Sequence, residues 1–170
     1  MLIRLLILCF VYFLPYVAAA QQKTLPALKI NQSIKIDGNL DDAAWKIAEP
    51  ISNFITISPV FGKPAKRISK VKLVYDNNAI YIGAYLYDNP STIRKQLTAR
   101  DMLDRQNVDI FTVGFDTYHD KQNAFIFRVS PANVQSDIKI SQSGAVYDHS
   151  WDAVWESKTS IKADGWVAEI

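Results

Sequence analysis

The sequence predicts an all-β domain, a sandwich or barrel of short, mostly antiparallel strands with one short helix near its start. Three observations lead there. Apolar and polar residues alternate with period two after an apolar leader, clusters of turn-forming residues separate the alternating runs, and helical patterning is confined to two short stretches. The 170 residues suit one domain, and 49% hydrophobic content is that of a globular chain. With 19 basic against 17 acidic side chains the net charge is +2. That leaves no electrostatic footprint for nucleic acid.

Residues 1–20 read as a signal peptide and residues 21–170 as the domain. Arg4 gives a positive start, Leu5 to Val17 is an apolar run too short to span a bilayer comfortably, and Ala18-Ala19-Ala20 offers small residues at the cleavage position. The protein is therefore expected to be exported, to the periplasm, the outer membrane or the extracellular space. Cys9 is the single cysteine and lies in the leader, so the mature domain has no disulfide or zinc-thiolate site.

The elements follow in order. Lys29 to Ile36 reads as a first strand, stopped by Asp37-Gly38. Asn39 to Glu49 reads as the helix, with Asp41 and Asp42 in its first turn and Pro50 after it. Val71 to Tyr75 and Ile80 to Tyr87 flank Asp76-Asn77-Asn78, a hairpin over 70–88. Ser91 to Leu103 reads as a short helix and a loop. Val108 to Phe115 and Phe125 to Val129 form a second hairpin around Asp116-Thr117-Tyr118-His119-Asp120. Gln135 to Ile140, Val154 to Ile161 and Trp166 to Ile170 complete the strands. The last strand stops in mid-alternation, which predicts a domain incomplete at its C-terminus and a downstream region of the same polypeptide.

Few residues offer chemistry. His119 and His149 lack the spacing of a zinc site, and no signature joins them with Met102 as haem ligands. Of the 17 acids 14 are Asp. Asp116 with Asp120 and Asp148 with Asp152 share loops and are candidate calcium ligands, although Asp in such loops also builds turns. No nucleophile elbow, phosphate loop or catalytic carboxylate pair is present, so the chain reads as a binding or structural domain, not an enzyme. Aromatics are the remaining lead. Tyr81, Tyr85 and Tyr87 share one face of a strand, and Trp151 and Trp155 have polar neighbours. Such rings serve either as stacking platforms for sugar C–H faces or as core packing.

The run Ile36-Asp37-Gly38-Asn39-Leu40-Asp41-Asp42-Ala43-Ala44-Trp45 resembles the opening of the family 9 carbohydrate-binding module. Val74-Tyr75-Asp76, Arg100-Asp101, Val108-Asp109-Ile110-Phe111, Phe127-Arg128-Val129 and Asp164-Gly165-Trp166-Val167-Ala168-Glu169-Ile170 follow in the family's order. The resemblance implies a jelly-roll-like antiparallel β-sandwich that binds polysaccharide or oligosaccharide. It also implies no catalysis of its own, association with O-glycosyl hydrolases, and in many members structural calcium. It carries sugar-contacting roles to Asp109 and Arg128, beside the candidate platforms Tyr81 and Tyr85, and assigns Trp45 to the core. The match departs from the family at Leu103, where a tryptophan is expected. A subgroup with a signal peptide and a C-terminal outer-membrane barrel is similar too, which gives a second reading as a periplasmic accessory domain with a degenerate sugar site. A haem-binding sandwich is the third.

Overall fold

The computed structural model describes residues 24–105 and 107–170; the leader reading at 1–20 lies outside the described residues. Nine strands form two sheets. The first has the order β1 (Ala27–Lys29), β2 (Ser69–Tyr75), β3 (Ile80–Tyr87), β9 (Gly165–Glu169), β8 (Lys158–Lys162). The second is a meander of β4 (Phe111–Phe115), β5 (Ala124–Val129), β6 (Gln135–Ser141) and β7 (Val146–Asp148). All pairs are antiparallel except β1 with β2. Of the sandwich or barrel expected from alternation, two sheets of the sandwich kind are found, as the family resemblance implied.

The period-two pattern sorts each strand's side chains between two faces. On β3, Ile82 and Ala84 point between the sheets, where they pack with Val71, Trp166, Ala168 and Val129. Phe111, Val113 and Phe115 of β4 close the same core. The opposite face of the five-stranded sheet has a core of its own. Trp45, Ala48 and Ile34 cover Val74 and Tyr81, with Ile30, Ile36 and Leu40 around them. Gly83 permits this: a Cβ there would stand 2.6 Å from Leu40 and 3.3 Å from the Trp45 ring.

Several elements differ from the sequence reading: β4 starts at Phe111 instead of Val108, β8 runs Lys158–Lys162 instead of Val154 to Ile161, and three more differ in kind or extent. The first strand is only Ala27–Lys29, parallel to β2; the alternation from Ile30 to Ile36 instead lays Ile30, Ile34 and Ile36 across the sheet face without a ladder. The helix, α1, is Ala43–Ile47, five residues long. The chain at its expected start is tied down elsewhere, Asn39 by Asp37 and Lys162, and the preceding Asp37 and Gly38 by Glu169. The 91–103 stretch contains no α-helix; it wraps the four-stranded sheet, with a 3-10 turn only at Leu103–Arg105. Strand β7, three residues long, was too short to read from alternation. Strand β4 ends its sheet, pairs only with β5 among the described residues, and carries no charged side chain.

A buried carboxylate joins the two ends of the domain. Glu169 on β9 has no exposed surface. Its Oε1 accepts the Trp45 indole N–H at 2.9 Å, and its Oε2 accepts the backbone N–H groups of Asp37 (2.9 Å) and Gly38 (2.8 Å). Three donors thus converge on two oxygens, and Ser160 Oγ donates to Gly38 O at 2.6 Å from the neighbouring strand. Burial pushes the Glu169 carboxyl above its usual value, against the pull of those donors.

Candidate functional site

Three of the hollows of the sandwich hold or border predicted residues. The one that holds Asp109 lies at its edge, about 320 Å³, floored by Leu86 and Trp166 and rimmed by Tyr87, Arg67, Asp88 and Arg94. Two ion pairs frame it. Arg94 grips Asp109 with Nε at 2.9 Å and Nη2 at 2.6 Å on one oxygen, while the Arg94 backbone N–H donates to the other oxygen at 3.0 Å. Arg67 Nε meets Asp88 at 2.8 Å. A carboxylate held this way keeps lone pairs available for an added hydroxyl, and the guanidinium keeps spare N–H donors, so each pair can both accept from and donate to a polyol.

The second hollow, about 620 Å³, is more polar: Thr98, Arg100, Asn133, Gln135, Glu156, Ser157 and Lys158 surround the edge of Trp155. Arg100 is its hub. It donates to Gln135 Oε1 at 2.7 Å, to the fully buried Asp137 at 2.6 Å and to Asp152 at 2.9 Å, so it ties the 91–109 loop, β6 and the 149–157 segment together. The third is an apolar cleft of about 610 Å³ between the sheets, lined by Ile80, Ile82, Val113, Phe115, Trp151 and Trp155 among others. Trp151 packs on Phe125 (centroids 4.7 Å) and Trp155 on Phe127 (5.3 Å), so both indoles belong to the inner face of the four-stranded sheet.

The four saccharide candidates do not share one hollow. Arg128 is 8% exposed and lies on the outer face of the four-stranded sheet, where its two terminal nitrogens hold Asp104 (2.7 Å for one pair). The Arg128 guanidinium keeps the Asp104 carboxyl below its usual range. Asp109 opens instead toward Leu86 and Trp166 of the other sheet, and Arg128 is not among the residues of that hollow. Tyr81 is 9% exposed beneath α1, its hydroxyl 3.1 Å from Asp76, and burial with that carboxylate raises its pKa. This is a core position, which corrects the expectation that Tyr81 offers a stacking face. Tyr85 lies past the edge of the α1 layer, half-buried, 4.6 Å from the Tyr87 ring. Its hydroxyl donates to Asp164 at 2.6 Å, and that bond lifts the phenol to about 12. Leu103 is 1% exposed and packs with Val108 and Val134.

The calcium candidates are occupied by turns. Asp116 accepts the N–H groups of Asp120 and Lys121, Asp120 those of Gln122 and Asn123, and Asp148 that of Ser150, while Asp152 faces Arg100. Among the described residues no three carboxylates, histidines or cysteines gather as a metal-binding set. The residues present do not fit a calcium centre. His119 stands at the tip of the β4–β5 turn with positive φ, and His149 follows β7, so neither joins a haem-ligating cluster.

Sequence reasoning reached Asp109 but missed Arg94, Arg67 and Asp88, which complete its surroundings. Only the Arg94–Asp109 spacing across a loop read as partly helical was available as a signal.

The fold has solved counterparts. It is similar to a carbohydrate binding module family 9 from Caldicellulosiruptor kristjanssonii in complex with cellotriose, at TM-score 0.53 and 22% identity over 84% of this chain and 64% of that one. A structure of a family 9 module from the same organism in complex with glucose gives 0.54 and 21% over 85% and 66%. The chain spans less than two thirds of the length of those solved chains. No protein-family model and no curated protein matches the sequence. The class this defines is a β-sandwich with the architecture of family 9 carbohydrate-binding modules.

Proposed function

We propose that this chain is a non-catalytic saccharide-binding module of an exported bacterial protein, acting beside polysaccharide-degrading activity carried elsewhere on the polypeptide. The observation that carries the reading is a fold shared with modules solved in complex with glucose and cellotriose. The site we assign is the Asp109 hollow. Its two carboxylate–guanidinium pairs supply paired donors and acceptors for vicinal hydroxyls, and the half-buried Tyr87, tilted against Tyr85 with the Lys70 ammonium 5.5 Å from its ring, borders the hollow as its aromatic wall. A hollow of about 320 Å³ suits a chain end or a single ring better than a long internal segment.

Calorimetry with glucose, cellobiose, cellotriose and xylo-oligosaccharides tests this. Asp109→Asn and Arg67→Ala should each weaken binding at least tenfold, because each removes a charged hydrogen-bonding partner of the sugar hydroxyls. Arg128→Ala should leave affinity unchanged, since Arg128 lies on the other side of the sheet. Binding that survives Asp109→Asn but is lost with Lys158→Ala and Glu156→Ala would move the site to the Arg100 hollow.

Leu103 favours a second reading. Its burial where the family's aromatic is expected removes one wall of a sugar clamp. In that case the domain is a periplasmic accessory of an outer-membrane barrel protein, and no saccharide in the panel binds.

A further inference from the structure

Between Pro50 and Tyr75 the sequence carries five cations (Lys63, Lys66, Arg67, Lys70, Lys72) and no carboxylate. Part of this stretch leaves the five-stranded sheet as a tongue. Ile51 and Val71 exchange backbone hydrogen bonds at its root, Ala65 N donates to Phe54 O at 2.9 Å, and Thr56 N donates to Lys63 O at 2.7 Å. Gly62 N closes the tip onto Thr56 O at 2.9 Å. Isolated bridges, Ile51 with Val71 and Ile55 with Pro64, therefore hold the two arms of the tongue together.

Its apolar side chains beyond the root face outward. At the tip Ile57 is 82% exposed, Phe61 75% and Val60 54%, and Phe54, Ile55 and Ile68 are exposed along the shaft. These six are among fifteen exposed large apolar residues in the described chain, so the tongue concentrates what the rest of the surface scatters. A contiguous apolar patch on a soluble surface marks an interaction site. Behind the tip, Lys63 and Lys66 are exposed and make no ion pair among the described residues, whereas Arg67 is held by Asp88.

We propose that this tongue docks the domain on an anionic lipid bilayer. Ile57, Val60 and Phe61 enter the boundary between headgroups and acyl chains, and Lys63 and Lys66 remain at the headgroup phosphates. The charge pattern selects this occupant. An apolar tip backed by cations alone complements an apolar slab with an anionic surface. A second copy joined tip to tip would set the same cations against each other. A neutral saccharide offers nothing for the lysines to pair with. The tongue works independently of the saccharide reading, since its tip lies outside all three hollows described above.

Co-sedimentation of residues 21–170 with vesicles tests the proposal, using phosphatidylcholine alone and phosphatidylcholine with one quarter phosphatidylglycerol. Binding to the anionic vesicles that weakens as salt is raised is expected. The double variant Ile57→Ser/Phe61→Ser should weaken it at least tenfold. Lys63→Gln/Lys66→Gln should weaken it about thirtyfold, and on the anionic vesicles only. All four side chains are exposed, so circular dichroism of both variants should match the parent. Absence of vesicle binding, equal binding to neutral vesicles, or binding that both variants leave unchanged overturns the proposal. Self-association that Phe61→Ser abolishes, without vesicle binding, overturns it as well and assigns the tip to a second copy.

Discussion

Replacing Glu169 by Gln tests the central joint of this domain. The carboxylate accepts three N–H donors, from Trp45, Asp37 and Gly38, and is fully buried. Glutamine keeps the shape but has one oxygen. Its best placement turns that oxygen to Asp37 and Gly38 and sets its amide N–H group against the Trp45 indole N–H. One buried donor is then orphaned, at roughly 1–3 kcal/mol, and two charge-assisted bonds become neutral. Relief from burying a charge offsets part of this. The sum is about 3 kcal/mol, read as a midpoint shift of about 1.5 M urea for an m-value of roughly 2 kcal/mol/M. Trp45→Phe removes the orphaned donor, so the double variant should be more stable than the two single losses added, by about 1 kcal/mol. The pH dependence adds an independent check. The Glu169 carboxyl titrates above 4.5 in the fold, so between 4.5 and its folded value the native state binds more protons than the unfolded chain. Stability therefore falls as pH rises through that window, and this slope should vanish in Glu169→Gln. An E169Q protein within about 0.5 kcal/mol of the parent, with the slope intact, would refute the reasoning.

Three further outcomes follow from other contacts. Gly165→Ala would place a Cβ 2.2 Å from the Leu86 carbonyl oxygen; β9 must shift off β3, and thermal unfolding should show a loss of about 3 kcal/mol or more. Tyr85 should ionise near 12, and Tyr85→Phe should remove that late step from an ultraviolet titration while the rest of the curve stays put. Its raised value means that its contribution is complete below 10 and fades as pH climbs through 12. Arg100→Ala leaves Asp137 buried without its cation. A destabilisation of about 3 kcal/mol is expected in urea, with Arg100→Lys recovering only part, because one ammonium cannot reach Gln135, Asp137 and Asp152 with the same fork.

Local features of this molecule were legible and tertiary ones were not. The β2–β3 hairpin is written in adjacent residues: alternation on both sides of Asp76, whose carboxylate takes the N–H groups of Asn78 and Ala79. Both halves of the Glu169 joint were visible as motifs, but the bond between residues 124 to 132 positions apart was not. Tyr81 and Tyr85 have the same place in the same alternation. What separates them is whether α1 and the 30–40 segment lie overhead, and that depends on the fold. Ile30 to Ile36 shows the converse, since a segment can lay Ile30, Ile34 and Ile36 against a sheet, with Gln32 between them exposed, without joining its ladder. Asp109 and Arg128 came from a resemblance, and each is claimed by a partner in the loop over 91–109 that wraps the sheet, Arg94 and Asp104 respectively.

The unpaired flank of β4 gives the molecule a social property. From Phe111 to Phe115 nothing on that strand repels a newcomer, and the greasy opening beside it would be covered by bulky groups on every second residue of a visiting extended chain. In concentrated solution this edge, unpaired among the described residues, is expected to template strand capture, read as self-association that rises with concentration. A lysine at the exposed Thr112 is the smallest change that would make it solitary.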